Sequence, residues 1–203
     1  MDFLKYENQL VLTGELNDVG APLRENVGDS YRLGLEIDAN INLGNKFQWS
    51  PNLALSTNKN KDFVFERDGV VQNLGNTNIA YSPIVVVGNR LAYNPSENFQ
   101  ISALTKYVGK QYMGNIDSEV STLDAYSQTD LNFQYVVEFD SIVKSITFSG
   151  LLNNVFDQLN VTNGYFFTFD DDFSNPGTIT TVEGAGFYPQ AGINFLLGAT
   201  INF

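Results

Sequence analysis

Between Tyr31 and Leu43 the chain alternates without a break. Tyr31, Leu33, Leu35, Ile37, Ala39, Ile41 and Leu43 are apolar or aromatic, and Arg32, Gly34, Glu36, Asp38, Asn40 and Asn42 lie between them. Successive side chains of an extended strand point to opposite faces, so the pattern predicts a strand with one apolar and one polar face. Its 13 residues exceed the five or six or so usual for a strand in a soluble domain.

The same period returns along the chain. Leu4, Tyr6, Leu10 and Leu12 share a face in the first segment, and Phe47, Trp49, Leu53 and Leu55 in the third. Val85, Val87, Leu91 and Tyr93 mark a fourth, and Phe99, Ile101, Ala103 and Tyr107 a fifth. Leu131, Phe133, Tyr135 and Val137 mark a sixth, and Ile146, Phe148 and Leu152 a seventh. Ala191, Ile193, Phe195, Leu197, Ala199, Ile201 and Phe203 form the eighth. The pattern predicts eight strands and no helix. Pro51 cannot donate to a ladder, so a bulge or break is expected in the third strand.

Connections decide the architecture. Those around residues 43–45, 94–97 and 140–143 are short, and those around 14–29, 59–81, 109–124 and 154–188 are long. Short and long alternate strictly, which predicts an up-and-down antiparallel meander with turns at one end and long loops at the other. Outer-membrane β-barrels have that asymmetry. Charges within the strands agree with it: Lys5, Glu7, Arg32, Glu36, Asp38, Arg90, Lys106, Asp130 and Glu138 all fall on the polar face by this reading. Aromatic residues gather toward the short-turn end of the apolar face (Phe47, Trp49, Tyr93, Phe99, Phe139 and Phe203), with a thinner band of Tyr31 and Tyr107 at the other end. Amphipathic rings favour the headgroup depth of a bilayer.

Composition narrows the chemistry. The 203 residues include 11 basic and 23 acidic side chains, a net charge of −12, with neither Cys nor His. That removes disulfides, Ser–His or Cys–His catalysis and a zinc site of the usual kind. The acidity argues against nucleic acid as a partner. Apolar residues make up 43% and charged ones only 17%, while aromatics reach 13% and Asn occurs 24 times. The longest apolar run is Ile84–Val87, far short of a membrane helix. No signal peptide is visible after Met1.

Local motifs carry little chemistry. Asp170-Asp171-Asp172 fits no calcium loop and is expected to be a solvated tip, so no metal is expected. Glu36 and Asp38 share one strand face, where hydration or a salt bridge to Arg32 accounts for them. Asn160-Val161-Thr162 fits a glycosylation sequon. Gly184-Ala185-Gly186 lacks the third glycine and the helix of a dinucleotide site. Tyr165-Phe166-Phe167 is expected to pack the longest loop, with contact to a ligand the alternative. No catalytic residue and no cofactor is expected.

Several stretches together resemble the C-terminal part of TonB-dependent outer-membrane receptors. They are Asn8–Gly14 with Asn17-Asp18-Val19-Gly20; Asn26-Val27-Gly28-Asp29-Ser30 running into Gly34 and Glu36; Tyr107–Tyr112; Leu123–Tyr126 with Asp130-Leu131; Leu152-Asn153-Asn154-Val155-Phe156-Asp157; and Tyr188–Gly192 with Phe195–Gly198 and Phe203. The resemblance implies a transmembrane segment of about eight strands from a 22-stranded barrel that closes around an N-terminal plug. Residues 1–203 would be the C-terminal part of that barrel, without the plug, the TonB-contacting box or a leader. It further implies an outer-membrane protein of a Gram-negative bacterium, taking up a scarce, bulky nutrient: siderophore-bound iron, a cobalamin or a glycan. Lipid and the barrel-assembly machinery would be partners, and the TonB system only through the N-terminal part. The last strand, with Phe195, Leu197, Ala199, Ile201 and the terminal Phe203, resembles the signal that machinery reads. The expectation is a fragment that would not transport alone, with two unpaired edges. Two other readings stay open: a self-standing eight-stranded barrel with a structural or adhesive role, and a soluble β-sheet binding module.

Overall fold

A computed structural model describes residues 1–16, 19 and 21–203. Asn17, Asp18 and Gly20, part of the first long loop, lie outside the described residues. Eight strands form the path of one antiparallel sheet in sequence order: β1 (Asp2–Tyr6), β2 (Ser30–Asp38), β3 (Phe47–Asn60), β4 (Val85–Ser96), β5 (Phe99–Val108), β6 (Tyr126–Glu138), β7 (Ser145–Asn153) and β8 (Asn194–Asn202), and the short strands Ile41–Leu43 and Thr77–Asn78 pair with β3 off that path. The meander read from the alternation is therefore the observed topology. Within the described residues β1 and β8 are the edges of this sheet, and they do not pair with each other.

Register sorts the side chains as the period requires. One row runs Ile37–Leu53–Val87–Tyr107 and another Leu91–Ala103–Leu131–Leu152–Phe195. The opposite face carries Arg32, Glu36, Asp38, Arg90, Lys106, Asp130 and Glu138 among Asn, Gln, Ser and Thr. Large apolar side chains such as Ile37, Leu55, Leu91, Phe133, Phe148 and Leu197 are exposed on the first face. In a soluble sheet such a face would be buried against other elements; here no described element covers it.

Four details differ from the sequence reading. In β1, Leu4 lies opposite Arg32 and Tyr6 opposite Ser30, on the polar face, while Phe3 and Lys5 stand beside Leu33 and Tyr31. Lys5 sits at the loop end of the strand, where it pairs with Glu7 at 2.9 Å and Asp29 at 3.3 Å. Glu7 itself lies beyond the strand. Leu10 and Leu12 do not continue β1; they belong to a separate hairpin of Gln9–Leu16 and Pro22–Val27. Pro51 does not bulge β3, which runs unbroken from Phe47 to Asn60. The gap opens on its neighbour instead. Ala39 donates to the Pro51 carbonyl at 3.0 Å, but Pro51 has no N–H to return, and β2 pauses at Ala39-Asn40 before Ile41–Leu43 resumes in the same register. The eighth strand begins at Asn194, so Ala191 and Ile193 precede it.

The long connections have structure of their own. Val64–Arg67 pairs with Val70–Asn73, Gln111–Tyr112 with Thr122–Leu123, and Val161–Asp171 with Thr180–Pro189. A small core of Val11, Phe63 and Phe65, with Leu74 and Ile116 against it, lies among these loops.

Candidate functional site: the loop canopy and the polar face

The canopy is assembled from the far ends of three long connections. Glu183, on the hairpin 161–189, accepts from the Arg67 guanidinium of one loop and from the Ser118 hydroxyl of another. Asp68 and Thr181 exchange two bonds, each 2.8 Å. Tyr81, held at φ 53°, donates its hydroxyl to the Gly164 carbonyl at 2.9 Å. Burial, with the neighbouring Tyr188 adding to it, raises the Tyr81 pKa, so the hydroxyl stays protonated and able to donate. Asp117 accepts from the Asn78 backbone and side-chain amides at 2.8 and 3.0 Å. At the rim Glu119 bonds Lys110 at 3.3 Å and raises its pKa.

The base of the hairpin is pinned by the motif Leu152–Asp157. Asn154, at φ 50° and fully buried, donates its backbone N–H to Asp130 at 2.7 Å. Its side chain bonds the Gln158 carbonyl and N–H at 2.9 and 3.0 Å, and the Ala191 carbonyl at 3.3 Å. Asp157 accepts from Ile193 N–H at 2.8 Å. These bonds draw Ala191 and Ile193 into the loop base rather than into the last strand. The segment recognised from sequence is thus a structural pivot.

The aromatic run Tyr165-Phe166-Phe167 divides between faces. Phe166 turns inward against Gly114. Tyr165, Phe167 and Phe169 form a ladder on the other face, with ring centroids 6.2 and 6.3 Å apart, and Tyr188 joins Tyr165 at 5.9 Å. Opposite the ladder stand Gly186 and Gly184. A Cβ at either position would collide with the Tyr165 or Phe167 ring, so the glycines let the rings lie flat across the partner strand. Tyr165, Phe169 and Tyr188 are each about half exposed. Such a flat apolar strip can stack on a ring or a sugar face. The expectation that this run packs the loop holds: Phe166 packs against Gly114, and Tyr165 and Phe167 across Gly186 and Gly184, with Tyr165 keeping about half its surface exposed.

The acidic tip is a turn cap. Asp171 accepts from Phe173 and Ser174 N–H at 3.0 and 2.9 Å, which holds its carboxyl below the usual range, the Ser174 backbone bond contributing most. Asp170 accepts from the Thr181 hydroxyl at 2.7 Å. On the polar face Arg32 bonds Asn58 at 3.4 Å and Ser82 at 3.0 Å and forms no ion pair with Glu36 or Asp38 among the described residues. Toward the short turns, Phe47 stacks on Tyr93 at 4.5 Å and Phe99 meets Tyr135 edge-on at 6.3 Å. At the loop end Phe3 lies 6.4 Å from Tyr31. Both aromatic bands are present, and Phe3 and Tyr135 are additions the sequence reading did not make. Phe195, Leu197, Ala199 and Ile201 lie on the apolar face of the edge strand β8, and Phe203 follows it, exposed.

No family profile matches the chain, and no curated protein does. Solved structures do. The siderophore receptor PiuA from Acinetobacter baumannii is similar over 99% of this chain and 25% of its own, at 16% identity and a TM-score of 0.63. The ferric-catecholate import receptor Fiu from E. coli K12 is similar over 97% and 24%, at 19% identity and 0.56. The ferric enterobactin receptor PfeA from Pseudomonas aeruginosa, as its G324V mutant, is similar over 97% and 27%, at 16% identity and 0.57. The chain has the barrel fold of these receptors, and it spans about a quarter of the length of each.

Proposed function

We propose that this chain is the C-terminal part of a TonB-dependent receptor barrel in a Gram-negative outer membrane, serving uptake of a ferric siderophore. One observation carries the reading. An eight-stranded meander with an exposed apolar face is similar, over nearly its whole length, to a quarter of a siderophore receptor, and both its edges are unpaired. The apolar face would meet lipid, the polar face would line a lumen holding a plug, and the TonB system would act through that plug. Of the three nutrients implied by resemblance, siderophore-bound iron is favoured because PiuA, Fiu and PfeA are named for it. The ladder of Tyr165, Phe167, Phe169 and Tyr188 is the proposed ligand face, and Phe195, Leu197, Ala199, Ile201 and Phe203 the proposed assembly signal. Among the described residues β1 and β8 do not pair, which speaks against a self-standing eight-stranded barrel.

The test is to fractionate cells carrying the gene in its native context and probe with an antibody to residues 154–188. The expected result is an outer-membrane band several times the 22.5 kDa of this chain. A soluble band at that mass contradicts the reading. In the same context, deleting Phe203 is expected to lower the amount of assembled receptor.

A further inference from the structure

The hairpin 161–189 rises from the connection between β7 and β8, at one edge of the sheet. Its first strand, Val161–Asp171, lies against Gln9–Leu16, which belongs to the connection between β1 and β2 at the other edge. It also meets Met113, Gly114 and Ser118 of one long connection and Arg67, Asp68 and Tyr81 of another. The hairpin therefore reaches across the loop end of the sheet from edge to edge. Its foot overhangs the polar face, where Gln190 lines a cavity of about 450 Å³ together with Gly88, Lys106 and Gln128.

Foot and seam are held in different ways. At the foot the Asn154 and Asp157 bonds join both ends of the connection. Asn160 adds two more: its side-chain amide donates to the Ser127 carbonyl at 3.0 Å, and its own carbonyl accepts from Gln190 N–H at 2.8 Å. Further out, Glu183 takes Arg67 and Ser118, and Thr181 exchanges bonds with Asp68. What this seam buries is polar: Thr168, opposite Glu183, is 2% exposed. Three apolar contacts of the hairpin meet glycines, Phe166 on Gly114, Met113 on Gly164 and Ile179 on Gly69. A side chain lying on a glycine does not interlock with its partner. The core of Val11, Phe63 and Phe65, with Leu74 and Ile116, contains no residue of the hairpin. A seam of polar bonds opens at lower cost than a buried apolar core.

We infer that the hairpin 161–189 is a strap that swings on its pinned foot, and that the bonds of Glu183 and Asp68 are the latch that holds it across the polar face. The loop carrying Phe63 and Phe65 is the fixed side, because it has the core. The 11 residues of Val161–Asp171 extend about 35 Å at about 3.3 Å per residue. A rotation of about 20° at the foot therefore moves the tip by about 12 Å. The clasp is polar and exchangeable, so the strap can release and reclose without unfolding the loops it touches.

Distances between paired spin labels test this on the full-length protein in outer membranes, in a background without other cysteines. One pair, Gln72→Cys with Asn175→Cys, spans from the fixed loop to the strap tip. The second, Gln72→Cys with Val120→Cys, lies off the strap. The latch is cut with Glu183→Ala and Asp68→Gly together; Asp68 has φ 55°, which glycine accepts without strain. The expected result is a single narrow distance for both pairs in the parent. In the cut protein the first pair should gain a second population displaced by about 10 Å or more, and the second pair should stay as it was. An unchanged first pair overturns the latch. Equal broadening of both pairs overturns the strap, since the canopy then loosens as a whole. The readout lies within the canopy and does not depend on the membrane reading.

Discussion

The sheet and the loops above it solve opposite problems with the same kinds of residue. Of the eight buried apolar side chains among the described residues, Val11, Phe63, Phe65, Ile79, Met113 and Leu123 lie in the long connections, leaving only Ala92 and Val108 in the wall. From β2 to β8 most of the wall's large apolar residues share one face and its charged residues the other, with Leu104 in register with Arg90 and Asp130 an exception. The wall thus owes its stability to backbone ladders and to whatever apolar medium meets its outer face. The canopy has a small core of its own and side-chain bonds between loops. Strength in one region should therefore be separable from strength in the other.

The largest effect that separates them is expected from Phe63→Ala. Phe63 is 3% exposed in the canopy core, and truncating a buried Phe costs about 3–5 kcal/mol. Protease cleavage within residues 61–84 should accelerate while heat-modifiable migration of the barrel stays intact. If the barrel shift is lost as well, the two regions are not separable.

Leu53→Arg should do the converse. Leu53 sits mid-strand on the apolar face between Ile37 and Val87, where an arginine facing lipid costs about 2–4 kcal/mol. Its neighbour Asn52 faces the other way, and Asn52→Arg should fold nearly as the parent does. Urea midpoints in detergent compare the pair, and equal losses would deny the two-faced wall.

A smaller effect comes from the seam. Tyr81→Phe removes one bond between loop and hairpin, worth about 0.5–1.5 kcal/mol. Amide exchange around Gly164 should quicken, with the wall strands unaffected. The smallest is a pH effect at the tip. The lowered Asp171 pKa means that its turn is fully stabilised above the usual carboxylate range, and that the stabilisation is lost as pH falls through the lowered value. Cleavage or exchange at residues 172–179 should rise below about pH 4, and Asp171→Asn should abolish that dependence.

The same division explains what was legible in the sequence. Wall strands face two different environments, so β2 through β7 announce themselves by period two, and their order follows from loop lengths. The edge strand β1 misled because Asp2-Phe3-Leu4-Lys5-Tyr6 places apolar residues on both of its faces, and Lys5 is tolerated beside Tyr31 through Asp29 and Glu7. The hairpin 161–189 was hidden for a related reason. Both faces of Tyr165-Phe166-Phe167 are apolar, one against Gly114 and one forming the ladder, so alternation vanishes. Gly184 and Gly186 held a usable signal, since glycines two apart opposite aromatic residues suit a flat ladder. The clasp of Arg67, Ser118 and Glu183 joins positions 116 residues apart at its widest, and no local pattern encodes that distance.

The central claim is that one face of this wall meets lipid and the other does not. The chain has no cysteine, so single cysteines introduced from Val85 to Tyr93 each give one spin-label site within it. Collision with oxygen against a water-soluble nickel complex, measured on protein in outer membranes, should alternate. Labels at Val87 and Leu91 should be oxygen-accessible, and those at Val86 and Arg90 nickel-accessible or occluded. Uniform nickel access at all four positions would contradict the account.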